Sequence, residues 1–327
     1  MASNKKKTGN RKTSTPAARP PHAVVIGAGR MGADIALAFA LGGWHCDVVE
    51  TDQGARERAI SHWRQELKRL RASRTIGLLQ MHAEAEKANW KQADLAIECV
   101  FEDLQMKRKL LKSIEPRMRR DAIIATNTSS LRITDVASAL KHASRAAGLH
   151  FSVPSHVMLA VEITRGRRTS DGTMKKLTSW MTDMGKVPIV INRDVPGMVI
   201  NRIQHAMYRE IYHLIDEGIA TVETIDLAVR FGFGFRYSIL GPIVSRDIHG
   251  LPIHLAVSEQ IYPTLHNGKT PSKKLRQLVK SGHHGVRTGR GFYQWDPKTI
   301  GSRLTHFTEL LEDTLKRVKR RDQPTEF

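Results

Sequence analysis

Gly27-Ala28-Gly29-Arg30-Met31-Gly32 has the form G-x-G-x-x-G, and Glu50 stands 18 residues beyond its last glycine. Residues of these types at this spacing can hold a dinucleotide. The first glycine permits a tight turn, the second lets a pyrophosphate approach the backbone, and the third lets a helix pack closely on a strand. The phosphates then face backbone N–H groups at a helix N-terminus. An acid at Glu50 accepts from a ribose 2′-hydroxyl and repels a 2′-phosphate, which selects NAD over NADP. Gly27, Gly29, Arg30, Met31, Gly32 and Glu50 are therefore candidate cofactor contacts. A purely structural glycine turn has the same local sequence, so the flanking elements must decide.

Those flanks read as a βαβ unit. Residues 23–26 are a short apolar run that ends at glycine, as a buried parallel strand does; a helical stretch follows from Met31 and a second strand covers 46–50. Ala59, Trp63, Leu67 and Leu70 share one helical face over 53–70, with Arg64, Lys68 and Arg71 on another. Strands are expected over 95–100, 123–126 and 147–151, and helices over 106–114 and 135–140. The alternation continues to about Ile191 and predicts a doubly wound, mostly parallel sheet. Beyond Pro196-Gly197 the pattern turns helical, with stretches over 221–229, 252–261 and 275–279. The fold class is α/β: an N-terminal Rossmann domain over 21–193 and an all-helical domain over 194–297. Residues 1–20 are expected to be a disordered basic arm with too little apolar surface to form a core, and 298–327 an appended amphipathic helix and tail.

Composition limits the function class. A chain of 327 residues has room for two domains at roughly 150 residues each. Lys and Arg total 52 against 32 Asp and Glu, a net charge of +20. That charge raises nucleic acid as a partner, a reading the motifs disfavour. Two cysteines, Cys46 and Cys99, cannot build a disulfide framework and suggest a reducing, cytoplasmic setting. No run approaches the ~18 apolar residues of a membrane span, and the N-terminus lacks the apolar core of a signal peptide. His283-His284 has no Cys or carboxylate nearby at ligand spacing, so no metal set is expected.

From residue 95 onward the chain resembles the L-3-hydroxyacyl-CoA dehydrogenase family. The resemblance is carried by Ile97-Glu98-Cys99-Val100-Phe101-Glu102-Asp103-Leu104, Asn127-Thr128-Ser129-Ser130-Leu131, Gly148-Leu149-His150-Phe151, Val161-Glu162-Ile163, Pro196-Gly197-Met198-Val199-Ile200-Asn201-Arg202 and Thr288-Gly289-Arg290-Gly291-Phe292-Tyr293. It implies a Rossmann domain followed by a helical domain that forms a homodimer, and an NAD-dependent enzyme oxidising an anionic hydroxyacyl substrate. By position, His150 would be the base that takes the hydroxyl proton, and Glu162 the carboxylate orienting its ring. Ser129 and Asn201 would hydrogen-bond the reacting oxygens; a helix cap is the bland alternative for Asn201. Glu102, Lys107, Asn127 and Arg287 would contact the cofactor, with ordinary solvated charge as the alternative for Lys107 and Arg287.

Three departures limit the resemblance, and the third bears on the substrate. Val153 in His150-Phe151-Ser152-Val153-Pro154 replaces the family asparagine, and Gly241-Pro242-Ile243-Val244 lacks the usual glutamate. The stretch between Glu50 and Asp94 is short, and the family's serine and lysine for the CoA phosphates do not map. Arg64, Lys68, Arg71 and Arg74 could take their place, or form a solvated basic face. Phe235-Arg236-Tyr237-Ser238-Ile239-Leu240-Gly241-Pro242 also resembles a branch that contains lambda-crystallin and L-gulonate 3-dehydrogenase, which implies a free 3-hydroxy acid or sugar acid as the alternative substrate. A non-catalytic Rossmann protein that binds polyanions is the alternative from another class.

Overall fold

A computed structural model describes residues 19–321; the arm before Arg19 and the tail after Arg321 lie outside the described residues. The chain divides into two units, the first ending at Val199 and the second beginning at Ile200. In the first, the order is β1 (His22–Ile26), α1 (Arg30–Leu41), β2 (His45–Val49), α2 (Gln53–Arg69), β3 (Leu79–His82), β4 (Leu95–Glu98), α3 (Leu104–Ile114), β5 (Ile123–Thr126), α4 (Ile133–Val136), β6 (Ala146–Phe151), β7 (Ala160–Thr164), α5 (Asp171–Asp183) and β8 (Val187–Ile191).

The eight strands form one sheet in the order β3-β2-β1-β4-β5-β6-β7-β8. Every neighbouring pair is parallel except β6 with β7. The chain winds outward from β1 to β3 and then restarts beside β1 at β4. That reversal opens a crevice at the C-terminal ends of β1 and β4, where open α/β sheets bind ligands.

Local sequence explains the elements. β1 and β4 are buried along their whole length, so their apolar runs have no polar face to alternate with. Alanines along α1 let it lie close to the sheet, and Trp63 of α2 packs there while donating its indole N–H to the Ala33 carbonyl at 2.8 Å. Asp52 and Asp103 cap α2 and α3 by accepting from the N–H groups of Ala55 and Met106. Two apolar clusters, one on each face of the sheet, make up the core.

Several expectations change. β3 was not anticipated: Leu79-Gln80-Met81-His82 has no β-branched residue and becomes a strand by pairing with β2 at the sheet edge. The helix expected over 135–140 is a single α-turn, α4, followed by a tight turn over Ala137–Ala139. Arg19, assigned to the arm, donates to Asp94 at 2.8 Å.

The second unit is helical, with α6 (Ile200–Asp216), α7 (Val222–Leu227), α8 (Phe235–Tyr237), α9 (Pro242–His249), α10 (Leu251–Ile261), α11 (Lys273–Lys280) and α12 (Ile300–Arg321). Asp216, at the end of α6, accepts from Ser272, Lys273 and Lys274 and so anchors the start of α11. Tyr212 of α6 stacks on Phe292 with ring centroids 5.6 Å apart. Ile225 is the one fully buried hydrophobic side chain among this unit's described residues.

Candidate active site

The glycine turn opens the site. Gly27 follows β1 with φ +97°, and a Cβ there would meet the Cys99 carbonyl oxygen at 2.9 Å. A Cβ on Gly32 would fall 1.8 Å from the Gly27 oxygen, so α1 can approach the turn only with glycine there. Gly29 differs: a Cβ on it would meet nothing within 4 Å. Two glycines are thus required by the protein's own packing, and the middle one faces open space at the N-terminus of α1. That is the arrangement a pyrophosphate needs. Arg30 and Met31 form the first turn of α1, where no acidic residue opposes an anion. Glu50 closes the turn by accepting from Ala28 N–H at 2.8 Å and Asp52 N–H at 2.9 Å. Each carboxylate oxygen has a second acceptor position, so a ribose hydroxyl can still be bound.

His150 and Glu162 are direct cross-strand partners in the β6–β7 pair. Twelve residues apart in sequence, they stand opposite each other on one face of the sheet. His150 Nδ1 lies 2.7 Å from Glu162 Oε2, and Glu162 Oε1 accepts from Val199 N–H at 2.9 Å. Glu162 is fully buried and His150 nearly so. With Nδ1–H given to Glu162, Nε2 is the basic nitrogen of the ring. β1, β4, β5 and β6 are mutually parallel, so the Gly27 turn, Glu102, Ser129 and His150 all belong to the same C-terminal edge.

Glu102 is the clasp of that edge. Its Oε1 accepts from the Ser129 and Ser130 N–H groups at 2.9 Å and from both the Thr128 and Ser130 hydroxyls. Burial pushes its pKa up, but the Thr128 and Ser130 hydrogen bonds and the Lys107 charge outweigh it and hold the carboxyl at about 2. Asn127 ties β5 to β6 by accepting from Phe151 N–H at 2.9 Å. In both cases the protein contacts of an expected cofactor residue also shape the loop that carries Ser129.

Lys107 is not a solvated charge. Its side chain is 1% exposed, with Nζ 2.7 Å from Glu98 Oε1 and 3.2 Å from Glu102 Oε2. It is a buried clamp, and its influence on a cofactor runs through those carboxylates. Glu98 was not anticipated as part of the site. Fully buried, it also accepts from Thr126 Oγ1 and Val100 N–H. An acid closing the otherwise apolar run Leu95-Ala96-Ile97 was the available signal. In the second unit, Asn201 lies inside the first turn of α6 rather than capping it, and Arg287 is exposed on a turn after Gly285. Arg64, Lys68, Arg71 and Arg74 are exposed along and just after α2, which leads to β3 with no long helical hairpin between.

Comparison with known proteins agrees with this fold. Residues 22–195 match the model of the 3-hydroxyacyl-CoA dehydrogenase NAD binding domain, and 197–295 match that of its C-terminal domain. The chain belongs to the 3-hydroxyacyl-CoA dehydrogenase family. It is therefore an NAD-dependent oxidoreductase acting on a CH–OH group, not a non-catalytic Rossmann module. A probable 3-hydroxybutyryl-CoA dehydrogenase of Deinococcus radiodurans is 34% identical over 281 residues, covering 83% of this chain and 99% of the relative. The crystal structure of (S)-3-hydroxybutyryl-CoA dehydrogenase from Ralstonia eutropha aligns with a TM-score of 0.69 at 32% identity, covering 85% of this chain and 99% of that one. A 5-formyl-3-hydroxy-2-methylpyridine 4-carboxylic acid 5-dehydrogenase aligns with a TM-score of 0.86 at 26% identity, covering 93% of this chain and all of that one. No helix among the described residues is long and apolar enough to cross a membrane.

Proposed function

We propose that this member of the family interconverts an L-3-hydroxyacyl-CoA and its 3-oxoacyl thioester, with His150 as the general base. The in-register His150–Glu162 pair at the sheet's C-terminal edge carries the reading. Nε2 of His150 takes the hydroxyl proton during oxidation, while Glu162 holds the ring's tautomer and favours the imidazolium that results. When bound, NAD+ would accept the hydride in oxidation and NADH would donate it in reduction. Gly27, Gly29, Gly32, Arg30 and Met31 would hold its pyrophosphate and Glu50 its ribose, while Glu102, Lys107 and Asn127 shape the neighbouring edge. Ser129 and Asn201 would bind the substrate's oxygens, and Arg287 would reach the cofactor.

A second reading, oxidation of a free hydroxy acid, is favoured by two observations. α2 reaches β3 without the hairpin associated with CoA contacts. The relative that aligns at 0.86 is named for a pyridine carboxylate, a free acid. NAD-linked oxidation of 3-hydroxybutyryl-CoA, free 3-hydroxybutyrate and a hydroxylated pyridine carboxylate, assayed side by side, separates the two. The thioester is expected to turn over, with kcat lowered about 10²–10⁴-fold in His150→Gln. Turnover of a free acid with an inert thioester would overturn the first reading, and an undiminished His150→Gln enzyme would overturn the mechanism.

The homodimer is proposed on the apolar faces of the second unit: Leu251, Ile253 and Leu255 of α10 are each about 60% exposed. The cytoplasm is proposed as its location, because Cys46 and Cys99 are both free thiols.

A further inference from the structure

Asp34, His62 and His156 come from three separate elements of the first unit. Asp34 is on α1, His62 on α2, and His156 on the segment that leaves β6 just after His150. Asp34 Oδ1 lies 2.6 Å from His62 Nε2 and 3.2 Å from His156 Nδ1. One ligand atom from each of the three falls within 4.8 Å of the others, the only such group among the described residues. Asp34 and His156 are buried, their side chains 6% and 4% exposed, whereas His62 reaches solvent at 36%.

A second Asp–His pair in the same unit provides the contrast. Asp47 also sits between two histidines, but His82 takes Oδ1 at 2.8 Å while His22 and Asn89 N–H share Oδ2. There the donors are spread over both oxygens and the carboxylate is satisfied as a hydrogen-bonding hub. At Asp34 both imidazoles converge on one oxygen, and Oδ2 is occupied by Ser155 N–H at 3.2 Å. His156 Nε2 is buried without a hydrogen bond, although Glu66 Oε2 is only 3.3 Å away. A neutral imidazole has one N–H, and His156 faces a carboxylate with each ring nitrogen. Hydrogen bonding by the neutral ring therefore leaves one edge mismatched, and the ring needs either a second proton or a cation at one nitrogen.

We propose that Asp34, His62 and His156 bind a divalent cation of the zinc class, with Glu66 orienting His156 from behind. Two imidazoles and a carboxylate suit such a cation and leave a fourth position for water. Nδ1 of His156 gives its lone pair to the metal, which frees its proton for Nε2–H to donate to Glu66. That is the carboxylate–histidine–metal relay common around zinc. The ion staples α1, which begins at the glycine turn, and α2 to the segment continuing from His150. Its role is to hold these elements together, and it touches neither His150 nor Glu162.

The test uses untagged full-length protein, stripped with a chelator and dialysed, then titrated with Co(II) and Zn(II). Expected are one Co(II) per chain with a tetrahedral visible spectrum, displacement by Zn(II), and a rise in Tm with Zn(II). Asp34→Asn and His156→Gln are expected to abolish the spectrum, and Glu66→Gln to weaken binding about 10–100-fold. His82→Gln, at the contrasting cluster, and His283→Gln are expected to leave it unchanged. NAD binding reports whether each variant is folded. If the two buried variants fail to fold, partly exposed His62→Gln decides: retention of the wild-type Co(II) affinity overturns the site. Absence of stoichiometric uptake by the wild-type protein, or equal uptake by a folded Asp34→Asn variant, overturns it as well.

Discussion

The two units bury their apolar residues very differently. The first closes a core on both faces of its sheet, with Phe39, Trp63, Leu67 and Ile97 at most 2% exposed. The second also carries many large apolar residues, yet Phe231, Phe235, Ile243 and Ile253 are all more than 60% exposed. A sheet covered by helices can satisfy its own apolar surface, whereas this set of helices leaves large apolar side chains exposed. The chemistry follows the same division. The unit with the closed core places the His150–Glu162 pair, and the helical unit has the exposed apolar faces.

The sharpest way to break this contrast is a matched pair of truncations. Phe39→Ala, in the sealed core, should cost about 3–5 kcal/mol in urea unfolding of the first unit. Phe231→Ala, at an exposed site, should change the stability of a single chain by no more than about 0.5 kcal/mol. Similar losses from both would show the second unit to be as tightly packed as the first. Next in size, Ile253→Asp with Leu255→Asp should convert a two-chain species to single chains in sedimentation while NAD affinity is retained. An unchanged sedimentation profile would remove α10 from the interface.

The smallest effects are at the extremes of pH. Glu102 is depressed from 4.5 to about 2, so its contribution is complete above pH 4.5 and is lost as pH falls towards 2. Glu102→Gln should flatten the acid limb of the first unit's stability curve in that window. In the second unit, the hydrogen bond from Tyr293 to Asp226, 2.7 Å long, pushes the phenol from 10 up to about 12. A raised pKa acts in the opposite sense: the contribution is present below pH 10 and is lost as pH rises through 12. Tyr293→Phe should remove that alkaline limb and leave the acid limb unchanged, as followed by circular dichroism.

Much of the site was legible from residue types. Gly27, Gly29 and Gly32 were readable because the G-x-G-x-x-G spacing directly follows a strand, and Glu50 because it ends the next strand, where a ribose hydroxyl would be bound. For Lys107, read as a cofactor contact with solvated charge as the alternative, burial rules out the alternative, since Glu98 and Glu102 enclose it and nothing along the chain shows that. β3 was hidden because four residues of weak strand preference form a strand only when β2 offers an edge.

What the sequence determined by itself was most of the order of elements and the dinucleotide turn, since periodicity and local sterics are properties of neighbouring residues; His150 and Glu162 came from the family resemblance. The tertiary structure decided the rest. It set His150 opposite Glu162 through antiparallel register, buried Lys107, and drew Asp34, His62 and His156 together across 122 residues of chain. The reason is physical: register, burial and convergence depend on which distant surfaces pack against each other, and no local pattern records that.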